Sequence, residues 1–152
     1  MTNRSKKIEL GVYLSVSALA FLAATLVTDV IARISFSAVS LPYAIGDHFK
    51  YANLFHSILM LTPFAIISLI CARLEIIVKT RSSLSIFLIS TGALTYFYAN
   101  GFWSAQSSLH QQRWTTSSLS VGLLPFIGFG IVFVTIFFAA LATQLDRRDH
   151  DG

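Results

Sequence analysis

Between Tyr51 and Ala72 the chain reads YANLFHSILMLTPFAIISLICA, 22 residues without an Asp, Glu, Lys or Arg. At 1.5 Å per residue an α-helix of this length covers the roughly 30 Å of a bilayer's hydrocarbon core. Only His56 and Pro63 interrupt its apolar character, and the pattern continues past Arg73 and Glu75 to Val78, which predicts a membrane span over about 51–78. Three further stretches have the same quality. They run over about Ile8–Ile31, Leu84–Trp103 and Leu119–Thr143, so the expected architecture is an all-α membrane protein, a four-helix bundle of up-down topology forming one domain over 1–152. Each run is continuous for about 20 residues, whereas a spanning β-strand alternates over about 10.

The composition of the whole chain agrees. Of 152 residues 55% are apolar or aromatic and 12% are charged. A water-soluble domain carries about a quarter of its residues as charges, and half that density cannot cover a wetted surface. A cytosolic enzyme, a disordered chain and a disulfide scaffold are thereby excluded. The net charge of +4 does not indicate nucleic acid, because Lys and Arg punctuate apolar runs instead of lining a polar face.

The placement of those cations predicts orientation. With the N-terminus cytoplasmic, the inner side holds Arg4, Lys6, Lys7, Arg73, Lys79, Arg81, Arg147 and Arg148, and the outer side only Arg33, Lys50 and Arg113. Eight against three satisfies the positive-inside rule. Both termini are therefore expected in the cytoplasm, with the protein in the inner or plasma membrane of the cell and two outer connections, about 33–50 and 104–118. The Ala18-Leu19-Ala20 pattern could serve a signal peptidase. Apolar sequence continues well beyond it, so a retained first helix is expected.

Chemistry-bearing groups are sparse. A single cysteine, Cys71, allows no internal disulfide and no CxxC motif, which excludes four-helix thiol oxidoreductases. His48, His56, His110 and His150 lack the matched depth that bis-histidine haem needs, and no HExxH or similar spacing offers a zinc site, so neither cofactor nor metal is expected. Ionisable groups within hydrocarbon cost about 2.5–3.5 kcal/mol each at mid-helix and are functional suspects wherever they occur. Here they sit near helix ends. Asp29 and Arg33, four residues apart, predict an ion pair closing the first span, and Glu75 with Lys79 predicts a solvated pair at the inner end of the second. Glu9 is expected to pair with Lys6.

Small residues predict how the helices approach one another: Ala20, Ala24 and Thr28, or Gly11 and Ser15, in the first span, and Gly122, Gly128 and Gly130 around Pro125 in the fourth. The order Asn53, His56, Pro63, Phe64 resembles the Asn, Glu, Pro, Phe order of membrane-associated glutathione and eicosanoid enzymes, but His56 stands in the glutamate's place and DHFKYA where that family is arginine-rich. Small multidrug transporters depend on a glutamate inside the first helix, and Glu9 lies too near its end.

What remains is a clustering by side. Asp29, Arg33, His56, His110 and Arg113 form the candidate outer polar cluster, extended by Asp47, His48, Lys50 and the segment QSSLHQQRW at 106–114. The expected function is non-enzymatic: binding a protein partner, or a second copy of the chain, as an accessory subunit or an immunity-type protein. The alternatives are a transporter or channel subunit for a small solute or ion, using Asp29 and His56, and, third, a lipid-modifying membrane enzyme.

Overall fold

The structure, a computed structural model, describes residues 2–51, 53–78 and 82–151, with side chains for 10–50, 53–76 and 82–145. It is almost entirely helical. The first rod comprises α1 (Thr2–Leu22), a π-helical turn (Ala23–Val27) and α2 (Thr28–Ser37). A short helix, α3 (Leu41–Tyr51), follows, then α4 (Leu54–Val78) and α5 (Ser82–His110). The last rod joins α6 (Trp114–Gly122) to α7 (Leu124–Asp151) through a bend at Leu123.

Four of these rods are long and apolar enough to cross a membrane: Leu10–Ser37, Leu54–Ile76, Ser82–His110 and Trp114–Leu145. Within an apolar 18-residue stretch of each, between 22% and 33% of the residues are buried, and side chains such as Phe126, Phe133 and Phe137 are more than half exposed. A surface this apolar would aggregate in water, and in lipid it faces its own kind of solvent. The first, third and fourth spans run further than the apolar runs alone predict, while the second lies within its expected bounds of about 51–78. The third continues seven residues past Trp103 to His110, and its 29 residues reach about 43 Å. That exceeds the hydrocarbon thickness, so its end carrying Gln106, Ser107 and Ser108 reaches the polar interface.

The interior is aromatic at its centre. Phe64 lies edge-on between Phe21 (5.6 Å) and Tyr98 (5.4 Å), the geometry that aromatic quadrupoles favour. Beside them α7 makes its closest approach. A Cβ on Gly128 would lie 2.7 Å from both Pro63 Cγ and the Tyr98 hydroxyl, so only glycine fits where the proline ring of α4 meets α7. The Tyr98 hydroxyl donates to the Met60 carbonyl (3.2 Å), in the turn just before Pro63. Of the other predicted close-approach residues, Gly11, Gly122 and Gly130 meet nothing, and Ser15 is exposed.

Polar side chains join the helices at the opposite end from Asp29. The Tyr13 hydroxyl donates to Glu75, the Ser83 hydroxyl to the Cys71 carbonyl (2.6 Å), and Ser17 and Ser68 share a hydrogen bond of 2.6 Å. Thr135 of α7 donates to Ser90 of α5 at 2.8 Å. With no hydrophobic effect between helices in lipid, such bonds and close packing hold a bundle together. Glu75 thus takes a hydrogen bond from the first rod; its expected partner Lys79, and the Glu9 and Lys6 side chains, lie outside the described ones.

Candidate functional site

The site begins with the π turn. In an uninterrupted α-helix Asp29, sixteen residues after Tyr13, would face about 160° away from it. A π turn takes up one extra residue, which reduces the angle to about 60° and brings Asp29 onto the inward side. Thr28 Oγ1 donates to the Ala23 carbonyl five residues back (3.0 Å), and Thr25 Oγ1 to that of Phe21 (2.8 Å). The buried face therefore passes from Ala24 and Thr25 to Asp29, while Ala20 and Thr28 are half-buried.

Asp29 is 2% exposed, yet both of its oxygens are bonded. Oδ1 accepts from Gln106 Nε2 of α5 at 2.6 Å, and Oδ2 from Arg33 Nε and His48 Nδ1, each at 2.8 Å. Arg33 in turn donates through Nη1 to Asp47. One carboxylate therefore ties together the first rod, α3 and α5. The predicted Asp29 and Arg33 pair is present, but it lies two turns inside the rod, as part of a buried network, and does not close the helix end.

The helix carrying Asp47 and His48 is amphipathic. Ala44 is fully buried and Asp47 and His48 face inward, whereas Leu41, Tyr43, Ile45 and Phe49 are exposed. The turn before it uses Ala38 in the left-handed conformation (φ 51°), whose N–H bonds the Ile34 carbonyl (3.1 Å). That reversal stops α2 and folds α3 back along it.

Beside the network lies a cavity of about 870 Å³, formed by the first rod, α3, the start of α4, the end of α5 and α6. Asp29, Arg33, His48, His56 and Gln106 line it, with Phe21, Met60, Phe102 and Val121 among its apolar walls. Asn53 caps α4 by accepting from the Phe55 N–H (2.9 Å), which sets the start of that helix at the cavity's edge. His56 Nε2 is buried and has no hydrogen-bond partner among the described residues.

Of the five residues predicted to form the polar cluster, Asp29, Arg33 and His56 line the cavity together. His110 and Arg113 do not: His110 is exposed at the last residue of α5 and Arg113 in the turn that follows it, where Gln112 adopts a left-handed conformation (φ 59°) and the Arg113 N–H bonds the Ser108 carbonyl (2.8 Å). Gln106 was visible in sequence as part of a polar segment, but not as a ligand of Asp29. Only the extension of α5 past Trp103 brings it there. No grouping of His, Cys, Asp and Glu suited to a metal occurs among the described residues.

The chain matches no family model, no curated protein and no solved structure. The reading of function rests on the cavity itself.

Proposed function

We propose that this is a multi-pass protein of the inner or plasma membrane, in up-down order with both termini cytoplasmic, that holds a small amphipathic molecule in the cavity at its outer, Asp29 end. The cavity carries the reading. Its volume of about 870 Å³ falls in the range of small-ligand sites, about 300–1,000 Å³, and it combines apolar walls with a few fixed polar groups. Orientation rests on the cation count, and the exposed apolar side of α3 suits a helix lying in the membrane interface. Binding is favoured over catalysis because Asp29 spends both oxygens on neighbouring side chains.

Extraction of the protein in patches of its native membrane, followed by mass spectrometry of the bound small molecules, tests this reading. A stoichiometric amphiphile is expected. Repeated isolation with bulk lipid alone counts against it. Reporter fusions at Lys79 and Arg113 test orientation; an external signal at Lys79 overturns it.

The exposed turn favours a second reading, a protein partner or second copy docking at the same end. His110, Arg113 and Trp114 present a basic and aromatic surface there, Trp114 being 68% exposed. Affinity isolation that yields a stoichiometric protein partner, lost on Trp114→Ala, is the result this reading requires.

A further inference from the structure

The charges beside the cavity are already spent on one another. Among the described residues Arg33 is the only Lys or Arg lining it, and its guanidinium donates to two carboxylates, Asp29 and Asp47. Asp29 is the only carboxylate among the described lining residues, and it accepts from three donors. An anionic head would meet a guanidinium already held by two carboxylates, and a cationic head a carboxylate already held by three donors. Breaking the network to admit either would leave a buried charge without its partner.

Uncharged hydrogen-bonding groups are still available. The hydroxyls of Ser57 and Ser117 make no side-chain hydrogen bond to the described residues, nor does the Asn53 amide nitrogen, and His56 Nε2 is unpartnered in the wall. These groups are also sorted by depth. Arg33, Asn53 and Ser117 lie near the rod ends, while Phe21, Met60 and Gly122 lie about one and a half to three turns further along their helices, toward the aromatic centre. The cavity is polar at the interface and apolar toward the middle of the bundle, the same gradient that a lipid presents.

We infer that the ligand is an uncharged amphiphile, with a hydroxyl- or carbonyl-bearing head at the Asp29 end and an apolar tail running inward past Met60 to Gly122. This rests on the cavity being a ligand site, as proposed above.

Three amphiphiles with one tail and different heads test it: monodecanoylglycerol, decyl phosphate and decyltrimethylammonium. Each is titrated against the full chain in lipid nanodiscs, and binding is read from the rise in melting temperature. Gly122→Leu serves as the control for the cavity. Gly122 is an exposed residue of the cavity wall and a Cβ there meets nothing within 4 Å, so the added side chain brings bulk to that wall without a clash; Val121→Phe, at the adjoining half-buried lining position, replaces it if that variant does not fold. The glyceride is expected to bind at least tenfold more tightly than either charged probe, and to lose tenfold or more in the Gly122→Leu protein. A charged probe that binds as tightly, with the same sensitivity to Gly122→Leu, overturns the head assignment and leaves the site standing. If no probe is sensitive to Gly122→Leu, the cavity reading falls and this inference with it.

Discussion

Both ends of the bundle bury polar side chains, but they use them differently. At the Tyr13 end, Tyr13, Ser17, Ser68, Ser83 and Glu75 bond one another or a backbone carbonyl across α1, α4 and α5. At the Asp29 end a carboxylate, a guanidinium and an imidazole surround a cavity. Hydroxyls can be neutral links between helices at modest cost, and Glu75, the carboxylate among the groups at the Tyr13 end, is exposed whereas Asp29 is buried. A carboxylate in a span needs a stronger reason, because its burial has to be offset by several well-placed donors. The contrast separates polar groups that join helices from polar groups that shape a site, and each prediction below acts on one end or on the centre between them.

The largest effect is expected at Asp29. Asp29→Ala leaves Arg33, His48 and Gln106 without their shared acceptor, and truncating one partner of a buried ion pair costs about 3–5 kcal/mol. Thermal unfolding in mild detergent should show a large drop in melting temperature, with α3 becoming sensitive to protease because its Asp47 and His48 are attached through the network. A loss below about 1 kcal/mol would mean that the network is solvated and the two ends do not differ in kind.

Next is the aromatic centre that divides the two ends. Gly128→Ala puts a methyl group 2.7 Å from Pro63 and Tyr98, and overpacking of this sort costs about 1–3 kcal/mol. Gly122→Ala, in open space, should be neutral or slightly stabilising, since alanine favours a helix by up to about 1 kcal/mol over glycine. Equal melting temperatures for the two variants would break the close approach of α4 and α7.

Much of this architecture is legible in the sequence. The uncharged run at 51–72 and its three counterparts give the four spans, because length and apolarity are local properties. The site is legible in part. Asp29 and Arg33 stand four residues apart on any helix, so their pairing follows from spacing. Their burial does not, since it depends on a π turn at Ala23–Val27 whose residues, AATLV, look like ordinary span. The same turn explains why the Ala20, Ala24, Thr28 stripe is only partly the contact face. Gln106 and His48 are 77 and 19 residues from Asp29, and no period in the sequence joins them. Gly128 could be seen as a small residue, but what distinguishes it from Gly11 and Gly130 is Pro63 opposite, a tertiary fact.

At the Tyr13 end the expected effect is smaller. Tyr13→Phe keeps the ring, edge-on to Phe87 at 4.6 Å, and removes only the hydroxyl that meets Glu75 and Ser83. Side-chain hydrogen bonds between helices in membranes contribute about 0.6 kcal/mol on average and up to about 1.7, so a loss of about 1 kcal/mol is expected. Binding of the amphiphile at the far end should not change. If it does, the ends are coupled through the Phe21, Phe64 and Tyr98 stack, and the division between joining and binding groups has to be abandoned.

The smallest effect is the most useful for choosing between the two proposals. His110 and Arg113 are exposed and make no ion pair among the described residues. Arg113→Ala and His110→Ala should therefore change stability by no more than about 0.5 kcal/mol, and should leave the cavity and its ligand untouched, because neither residue lines it. The same variants should weaken any protein partner that docks on this turn. A double variant that binds amphiphile normally and loses a co-purifying protein would place the two activities on separate surfaces of one end. If it loses the amphiphile as well, the exposed turn belongs to the site, and the boundary drawn here between buried network and solvated cap lies in the wrong place.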